Sequence, residues 1–340
     1  MRKLHVVLLS AAMAALFACG GAEAPPETES ASAVDHGVGT ILRVDPAFDA
    51  IVPADYKIEK LGDGMVFTEG PIWVREGGPY LLFSDVRGNA IYQWTPGGSV
   101  MPFIQPVFEG GVGSNGLTLD SQGRLMIAEH GKRQISRLPL PKEGERETVV
   151  DKYEGKRLNS PNDLVYKSDG WLYFTDPPYG LAKLEDDPER DLDFNGIFRL
   201  SPDEKTLELL NRDQTRPNGI GFSPDEKTLY VANSDTAKKL WMAYDVTDDG
   251  KLENGRVFYD VTSETVEGLP DGLKVDKNGN MYGTGPGGVW VFSPDGTHLG
   301  TIQPEQVPAN VAWGDDGKTL YMTARTGLYR ITLNAEGSMP

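Results

Sequence analysis

Residues 158–180 read Leu-Asn-Ser-Pro-Asn-Asp-Leu-Val-Tyr-Lys-Ser-Asp-Gly-Trp-Leu-Tyr-Phe-Thr-Asp-Pro-Pro-Tyr-Gly. A polar residue follows a proline, then come a short apolar strand, an Asp-Gly turn and a second apolar strand that ends in a polar residue. The same pattern recurs along the chain. Aligned on the polar position that opens each copy, the copies begin at Glu69, Asn115, Asn162, Asn218, Asp271 and Asn310.

The copies follow one another at intervals of roughly 40 to 55 residues, which is the range of four-stranded propeller blades. Each copy continues into a third strand rich in aromatic and β-branched residues, such as Ile197-Phe198-Arg199-Leu200. Helical periodicity is scarce, and turn residues are dense. The pattern therefore predicts an all-β chain, a six-bladed β-propeller with four antiparallel strands per blade.

Fourth, outer strands are predicted for five of the blades, at residues 100–104, 147–150, 206–210, 256–259 and 298–302. The sixth copy is followed only by the end of the chain. A strand-like segment at residues 56–61, upstream of the first copy, can supply the missing outer strand. Pairing this N-terminal strand with the last blade closes the ring and leaves no open sheet edge at the seam.

The N-terminal region has the composition of an export signal. Residues 1–18 combine a basic start, Arg2 and Lys3, with a short apolar stretch, and Cys19 follows. Cys19 is the single cysteine of the chain, so it has no disulfide partner within it. We expect a lipidated Cys19, a disordered tether over residues 19–40 and one propeller domain over residues 41–340. The alternative is an ordinary signal peptide with an incidental cysteine.

This organisation predicts an exported bacterial lipoprotein on the periplasmic side of the outer membrane, or alternatively a soluble periplasmic protein. The formal net charge is −17 over 340 residues. Such an acidic chain disfavours nucleic acid and anionic lipid as partners. Contact with a membrane is therefore expected only through the lipid on Cys19. The sequence leaves the oligomeric state open.

Antiparallel succession of strands predicts where the polar positions meet. The starts of the first strands and the ends of the second strands lie on the same rim, so the six opening residues converge at the mouth of the central channel. The strand-two ends, which include His130 and Asp176, lie a little farther out on that face. The alternative is that these residues only shape turns, because Asn-Gly and Asp-Gly are strong turn signals.

The residue types at the channel mouth predict a site for a hard cation. Two carboxylates and several amide carbonyls offer only oxygen ligands, which suit Ca²⁺ best, with Mg²⁺, Mn²⁺ or Zn²⁺ as alternatives. His130 is the one histidine near this rim. Either a packing role or a catalytic role is open to it.

These motifs resemble the gluconolactonase/regucalcin (senescence-marker protein) family of six-bladed propellers, in particular its bacterial gluconolactonase-like branch. The resemblance rests on Glu69-Gly70-Pro71, the two segments 160–163 and 174–180, Pro217-Asn218-Gly219 and Asp271-Gly272. It implies a divalent metal bound by Glu69, by Asn162 or its neighbour, by Asn218 and by Asp271, and it implies hydrolysis of a sugar lactone. The animal branch also places a substrate-binding arginine near an asparagine of blade three, which makes Arg157 a candidate here.

The mechanism that follows is metal-assisted hydrolysis of a cyclic ester by water. Asp271, or alternatively His130, is expected to accept the proton of the water. Asn115, Asn162, Arg157, Asp176 and Asn310 are the candidates for substrate binding. One alternative is a related esterase or phosphotriesterase on the same metal site, and another is a surface-tethered binding module without enzymatic activity. No Gly-x-Ser-x-Gly elbow appears, which disfavours a serine hydrolase.

Overall fold

The computed structural model describes residues 34–142 and 144–339. The predicted signal, Cys19 and most of the tether lie outside the described residues, so those expectations stay predictions. A compact unit begins at Asp35. Within the described part of the chain, no helix is both long and apolar enough to cross a bilayer.

Six antiparallel sheets surround a central channel, so the predicted six-bladed β-propeller is confirmed. The chain begins with β1 (Gly39–Arg43) and β2 (Ile58–Gly62), which precede the blades. Blade one contains β3 (Thr68–Val74), β4 (Tyr80–Asp85), β5 (Ala90–Trp94) and β6 (Val100–Ile104). Blade two contains β7 (Ser114–Leu119), β8 (Leu125–Glu129), β9 (Gln134–Leu138) and β10 (Glu147–Val150). A short hairpin of β11 (Lys152–Tyr153) and β12 (Lys156–Arg157) follows.

Blade three contains β13 (Leu164–Tyr166), β14 (Leu172–Asp176), β15 (Gly196–Leu200) and β16 (Leu207–Asn211). Blade four contains β17 (Pro217–Phe222), β18 (Thr228–Asp235), β19 (Lys238–Val246) and β20 (Leu252–Asp260). Blade five contains β21 (Leu273–Val275), β22 (Met281–Gly285), β23 (Gly288–Phe292) and β24 (His298–Pro304). Blade six contains β25 (Pro308–Gly314), β26 (Thr319–Ala324) and β27 (Gly327–Thr332). Two 3₁₀ turns, Pro46–Ala50 and Leu184–Asp186, are the helical segments of the described residues.

The ring closes as the sequence predicts, through an N-terminal strand. β2 pairs antiparallel with β27 and becomes the outer strand of blade six. At this seam Tyr321 of blade six stacks on Trp73 and contacts Trp94 of blade one, with ring centroids 5.4 and 5.6 Å apart. Burial of such an aromatic side chain stabilises the fold by about 1.5–3 kcal/mol. The seam is therefore packed like any other blade boundary.

One strand was not predicted. β1 pairs antiparallel with β24, so blade five has five strands instead of four. β1 lies upstream of the six copies and has no counterpart in their repeated pattern, and an added edge strand needs only backbone partners. Its position also means that residues 39 and 40, expected in the tether, belong to the sheet.

Candidate functional site

The six opening residues form a ring, and each blade presents one of them at the inner edge. Glycine follows four of them, namely Glu69, Asn115, Asn218 and Asp271, and allows this close approach. A Cβ atom on Gly70 would lie 2.0 Å from Asn115 O, and one on Gly219 would lie 2.1 Å from Asp271 O. Only glycine leaves room for the next blade's backbone at these positions.

The ring is completed across the seam. Asn310 Nδ2 of blade six donates a hydrogen bond to Glu69 Oε2 of blade one over 2.9 Å. Gly116 N donates to Asn162 O over 2.7 Å, which joins blades two and three. These contacts link the opening segments of blades six and one, and of blades two and three.

Hydroxyl groups at the ends of second strands hold the ring in place, a role that sequence reasoning missed. Ser84 Oγ donates to Asn115 O over 2.6 Å, and Thr175 Oγ1 donates to Asn218 O over 2.7 Å. Thr284 Oγ1 likewise donates to Ala309 O over 2.8 Å. Each of these hydroxyls belongs to one blade and fixes the innermost segment of the next. The signal was a Ser or Thr near the same position of several copies.

Two carboxyl groups of the ring are enclosed and act on each other. Glu69 is 1% exposed, and its Oε2 accepts hydrogen bonds from Gly70 N and Asn310 Nδ2. Asp271 Oδ1 is buried with no hydrogen-bond partner among the described residues. Burial raises the pKa of both carboxyls, and the charge of Glu69 raises that of Asp271 further. A cation bound between them would remove this repulsion.

Three amide side chains of the ring are also unengaged. Within the described residues, no hydrogen bond reaches the side-chain amides of Asn162 or Asn218, and Asn115 Oδ1 is buried without a partner. Buried polar groups in folded proteins are nearly always paired, which makes the partnerless Asn115 Oδ1 unusual. These oxygens and amides therefore have capacity left for a ligand.

The donor chemistry of the ring fits a hard divalent cation. Among residues 34–142 and 144–339, no group of three or more His, Cys, Asp or Glu side chains is arranged to hold a metal ion. A cation at the ring would therefore take part of its ligand set from amide oxygens. Glu69, Asn162, Asn218 and Asp271 offer such a mixed set of oxygens, which suits Ca²⁺ better than softer ions.

Two of the predicted substrate-binding residues, Asn310 and Asp176, already form hydrogen bonds with other groups of the protein. Asn310 donates to Glu69 and accepts from its own neighbour, Val311 N, so both ends of its amide have partners. Asp176 accepts the amide N–H groups of Asn159 and Ser160, both over 2.7 Å. In this arrangement Asn310 orients Glu69, and Asp176 holds the segment that leads into blade three.

Among the described residues, no hydrogen bond or ion pair joins Arg157 or His130 to Glu69 or Asp271. The guanidinium of Arg157 donates to Lys132 O in an exposed position. His130 is 2% exposed, and neither ring nitrogen has a hydrogen-bond partner among the described residues. Burial alone lowers the pKa of His130 to about 4. The imidazole is therefore neutral near pH 7.

The long connection between β14 and β15 begins beside the carboxyl pair. Burial and the charge of Asp271 raise the pKa of Tyr179, and its hydroxyl donates to Ser234 O over 3.0 Å. Arg216, just ahead of Asn218, lies over the Tyr179 ring and forms two hydrogen bonds with Glu185 of the connection, over 2.9 and 3.0 Å. This connection is therefore anchored on the face that carries the ring.

The carboxyl pair has two further charged neighbours, Asp163 and Lys274, of which sequence reasoning missed Lys274. Asp163, next to Asn162, raises the pKa of both Glu69 and Asp271, and Lys274 lowers that of Glu69. Lys274 follows Asp271 by three residues. The equivalent positions of the other copies are uncharged, and this difference was a signal in the sequence.

The chain is similar in sequence and in fold to known proteins. The family model "SMP-30/Gluconolactonase/LRE-like region" matches residues 67–326. A gluconolactonase of Zymomonas mobilis is 37% identical, over 98% of this chain and 96% of that protein. A diisopropyl-fluorophosphatase of Loligo vulgaris is 25% identical, over 78% of this chain and 87% of that protein. The solved structure of a Xanthomonas campestris gluconolactonase superposes with a TM-score of 0.76 and 33% identity, over 86% of this chain and 94% of that one.

Proposed function

We propose that this chain, which belongs to the SMP-30/gluconolactonase/LRE-like family, hydrolyses sugar lactones at the mouth of its central channel with a bound divalent cation. The observation that carries the proposal is Asp271 Oδ1, an enclosed carboxylate oxygen without a partner beside Glu69 in the described structure. The similarity to gluconolactonases over nearly the whole chain supports the lactone as substrate.

The proposed cation ligands are Glu69, Asn162, Asn218 and Asp271, with Ca²⁺ as the preferred ion. When bound there, a divalent cation supplies positive charge that stabilises the negative charge developing on the carbonyl oxygen of the ester. Asn310 keeps the Glu69 carboxylate oriented through its 2.9 Å hydrogen bond. The three strand-two hydroxyls keep the backbone of the ring from shifting.

The remaining steps fall to the side chains around the ring. Asp271 takes a proton from the attacking water, whose oxygen forms the new bond to the carbonyl carbon. The ring C–O bond of the lactone then breaks, and the alkoxide formed takes that proton, so the product is the open hydroxy acid. We assign Asn115 and Tyr179 to the binding of hydroxyl groups of the sugar. His130, neutral near pH 7, is the alternative base.

The decisive experiment measures hydrolysis of glucono-1,5-lactone by protein freed of metal with a chelator. We expect the catalysed rate to vanish on chelation and to return on addition of Ca²⁺, with Mg²⁺, Mn²⁺ and Zn²⁺ as comparisons. A chelated protein that keeps its full rate would contradict the cation, whereas no lactone hydrolysis under any condition would contradict the substrate.

Phosphotriester hydrolysis is the second candidate activity. The similarity to a diisopropyl-fluorophosphatase over 78% of this chain favours it. A cation held by oxygen ligands can stabilise charge on a phosphoryl oxygen as well as on a carbonyl oxygen. Rates with an aryl ester and a phosphotriester, measured beside the lactone on the same preparation, decide between the candidates.

We also propose that the chain is exported and held to a membrane through a lipid on Cys19. The basic start, the apolar stretch before Cys19 and the absence of a second cysteine in the sequence support this proposal.

A further inference from the structure

Lys274 places an ammonium group close to the carboxyl groups of the ring. It lies in β21, the innermost strand of blade five. Its Nζ donates to Leu273 O over 2.9 Å and lies 3.8 Å from Asp163 Oδ2. The Asp163 side chain is 3% exposed, and its Oδ2 has no hydrogen-bond partner among the described residues. The ammonium is therefore the nearest positive charge recorded for this buried oxygen.

The carboxyl groups of Glu69, Asp163 and Asp271 form one electrostatic group. Asp163 raises the pKa of the other two, while Lys274 lowers that of Glu69. Arg325 also lowers the pKa of Asp271, but its side chain is 41% exposed and pairs with Glu267. Solvent screens that exposed charge more strongly than it screens the ammonium of Lys274.

Lys274 also lines a cavity of about 590 Å³ around the other ends of the first strands. The cavity lining combines apolar residues such as Leu164 and Ile220 with charged residues such as Asp120 and Glu226. The interactions of the ammonium with Leu273 O and the Asp163 carboxylate offset part of its loss of water.

We propose that Lys274 is a positioning residue that supplies a fixed third positive charge beneath the divalent cation of the ring. Three carboxylates are then balanced by one ammonium and one doubly charged ion. The inference rests on the proposed cation site, and it adds that Lys274 sets how strongly the site binds its ion and how far the fold depends on it.

The test uses opposite charge changes at the two partners. Lys274→Met leaves the carboxylates undercompensated, so we expect cation affinity to rise about tenfold or more, whereas Asp163→Asn should lower it by about the same factor. The double variant restores the balance and should return the affinity close to that of the wild type. Lys274→Arg keeps the charge and should change little.

Calorimetric titration with Ca²⁺ at a mildly alkaline pH, which favours the ionised form of a carboxyl whose pKa is raised by burial, gives the affinities. Melting temperatures with and without chelator provide a second readout. We expect Lys274→Met to lower the melting temperature in chelator and to increase the gain on adding Ca²⁺. The matched control is Lys205→Met, which removes an ammonium that is 81% exposed and pairs with Asp203; it should match the wild type in both measurements.

The outcomes separate this inference from the proposed function. If the wild type binds no divalent cation, the proposed cation site fails. If the wild type binds Ca²⁺ but Lys274→Met and Asp163→Asn shift its affinity in the same direction, or not at all, the role of Lys274 is overturned while the cation site stands.

Discussion

Asp271 and Asn218 are both ring residues, but only Asp271 carries a charge and an oxygen suited to accept a proton. Asp271→Asn should therefore reduce kcat by about 10²- to 10⁴-fold even at saturating cation, because positioned proton transfer is lost. Asn218→Ala should instead be rescued in part by excess cation. Lactone hydrolysis measured against Ca²⁺ concentration distinguishes the two. If Asp271→Asn keeps a near wild-type kcat with cation bound, Asp271 is not the base, and His130 becomes the candidate.

His130 gives the protein a specific sensitivity to acid. Its pKa of about 4 in the folded state lies below the ordinary value near 6.5. The unfolded chain then binds the proton more readily, so this contribution to stability is complete above about pH 6.5 and is lost as the pH falls toward about 4. We expect the melting temperature of His130→Gln to fall less over that pH interval than the melting temperature of the wild type. Parallel melting curves for the two proteins would contradict the prediction.

At single positions, the sequence was informative where the repeat put equivalent residues side by side. Glu69, Asn162, Asn218 and Asp271 stood out because polar residues opened the copies at one place. The same argument overvalued Asn310 as a substrate ligand, since a pattern does not reveal that its amide is used on Glu69 across the seam. Lys274 escaped notice because one lysine on a strand ordinarily faces water.

Among the elements, β2 contributes most visibly to closure of the ring. Ile58 is fully buried against blade six, whereas Glu59, beside it, forms a half-exposed ion pair with Arg330. Ile58→Ala should cost about 2–5 kcal/mol of unfolding free energy, while Glu59→Ala should cost about 1 kcal/mol or less. Urea unfolding of both variants measures the difference. Equal losses would mean that closure does not depend on the apolar face of β2.

The connection between β14 and β15 is the second element with a predicted effect, because its anchor Glu185 bonds Arg216 beside the ring. We expect Glu185→Ala to change the KM for the lactone several-fold, since the loss of a bidentate ion pair frees Arg216 and the connection, and to leave cation affinity unchanged. Glu189→Ala, an exposed change in the same connection, is the control. Identical KM values across several lactones for both variants would indicate a purely structural loop.

For the elements, the sequence predicted the blade strands well and the added strand β1 poorly. Aromatic and β-branched runs between turn residues recur in every blade, and burial against neighbouring blades demands them. β1 does not pack against a neighbouring blade in this way, because residues 40, 42 and 43 are exposed on the edge of blade five. Its pairing with β24 depends on backbone geometry that composition does not encode.

On the scale of the whole molecule, the proposed lipid on Cys19 predicts where the protein is found. Cys19→Ser should move the protein from the membrane fraction to the soluble fraction, with unchanged specific activity, because the change is distant in sequence from every ring residue. Fractionation and lactone assays of both proteins measure this. Equal membrane recovery for the two proteins would contradict the lipid anchor.

The pairing of β2 with β27 also determines when the molecule can finish folding. Glu59 and Arg330, which meet across this pair, are separated by 271 residues. During synthesis β2 emerges long before β27 has been made. The edge of β2 therefore stays unpaired while five blades form. Contacts between such distant segments slow folding and prolong the exposure of open edges. β2 carries the charged residues Glu59 and Lys60. These charges disfavour pairing of β2 with strands of other nascent chains before β27 is available.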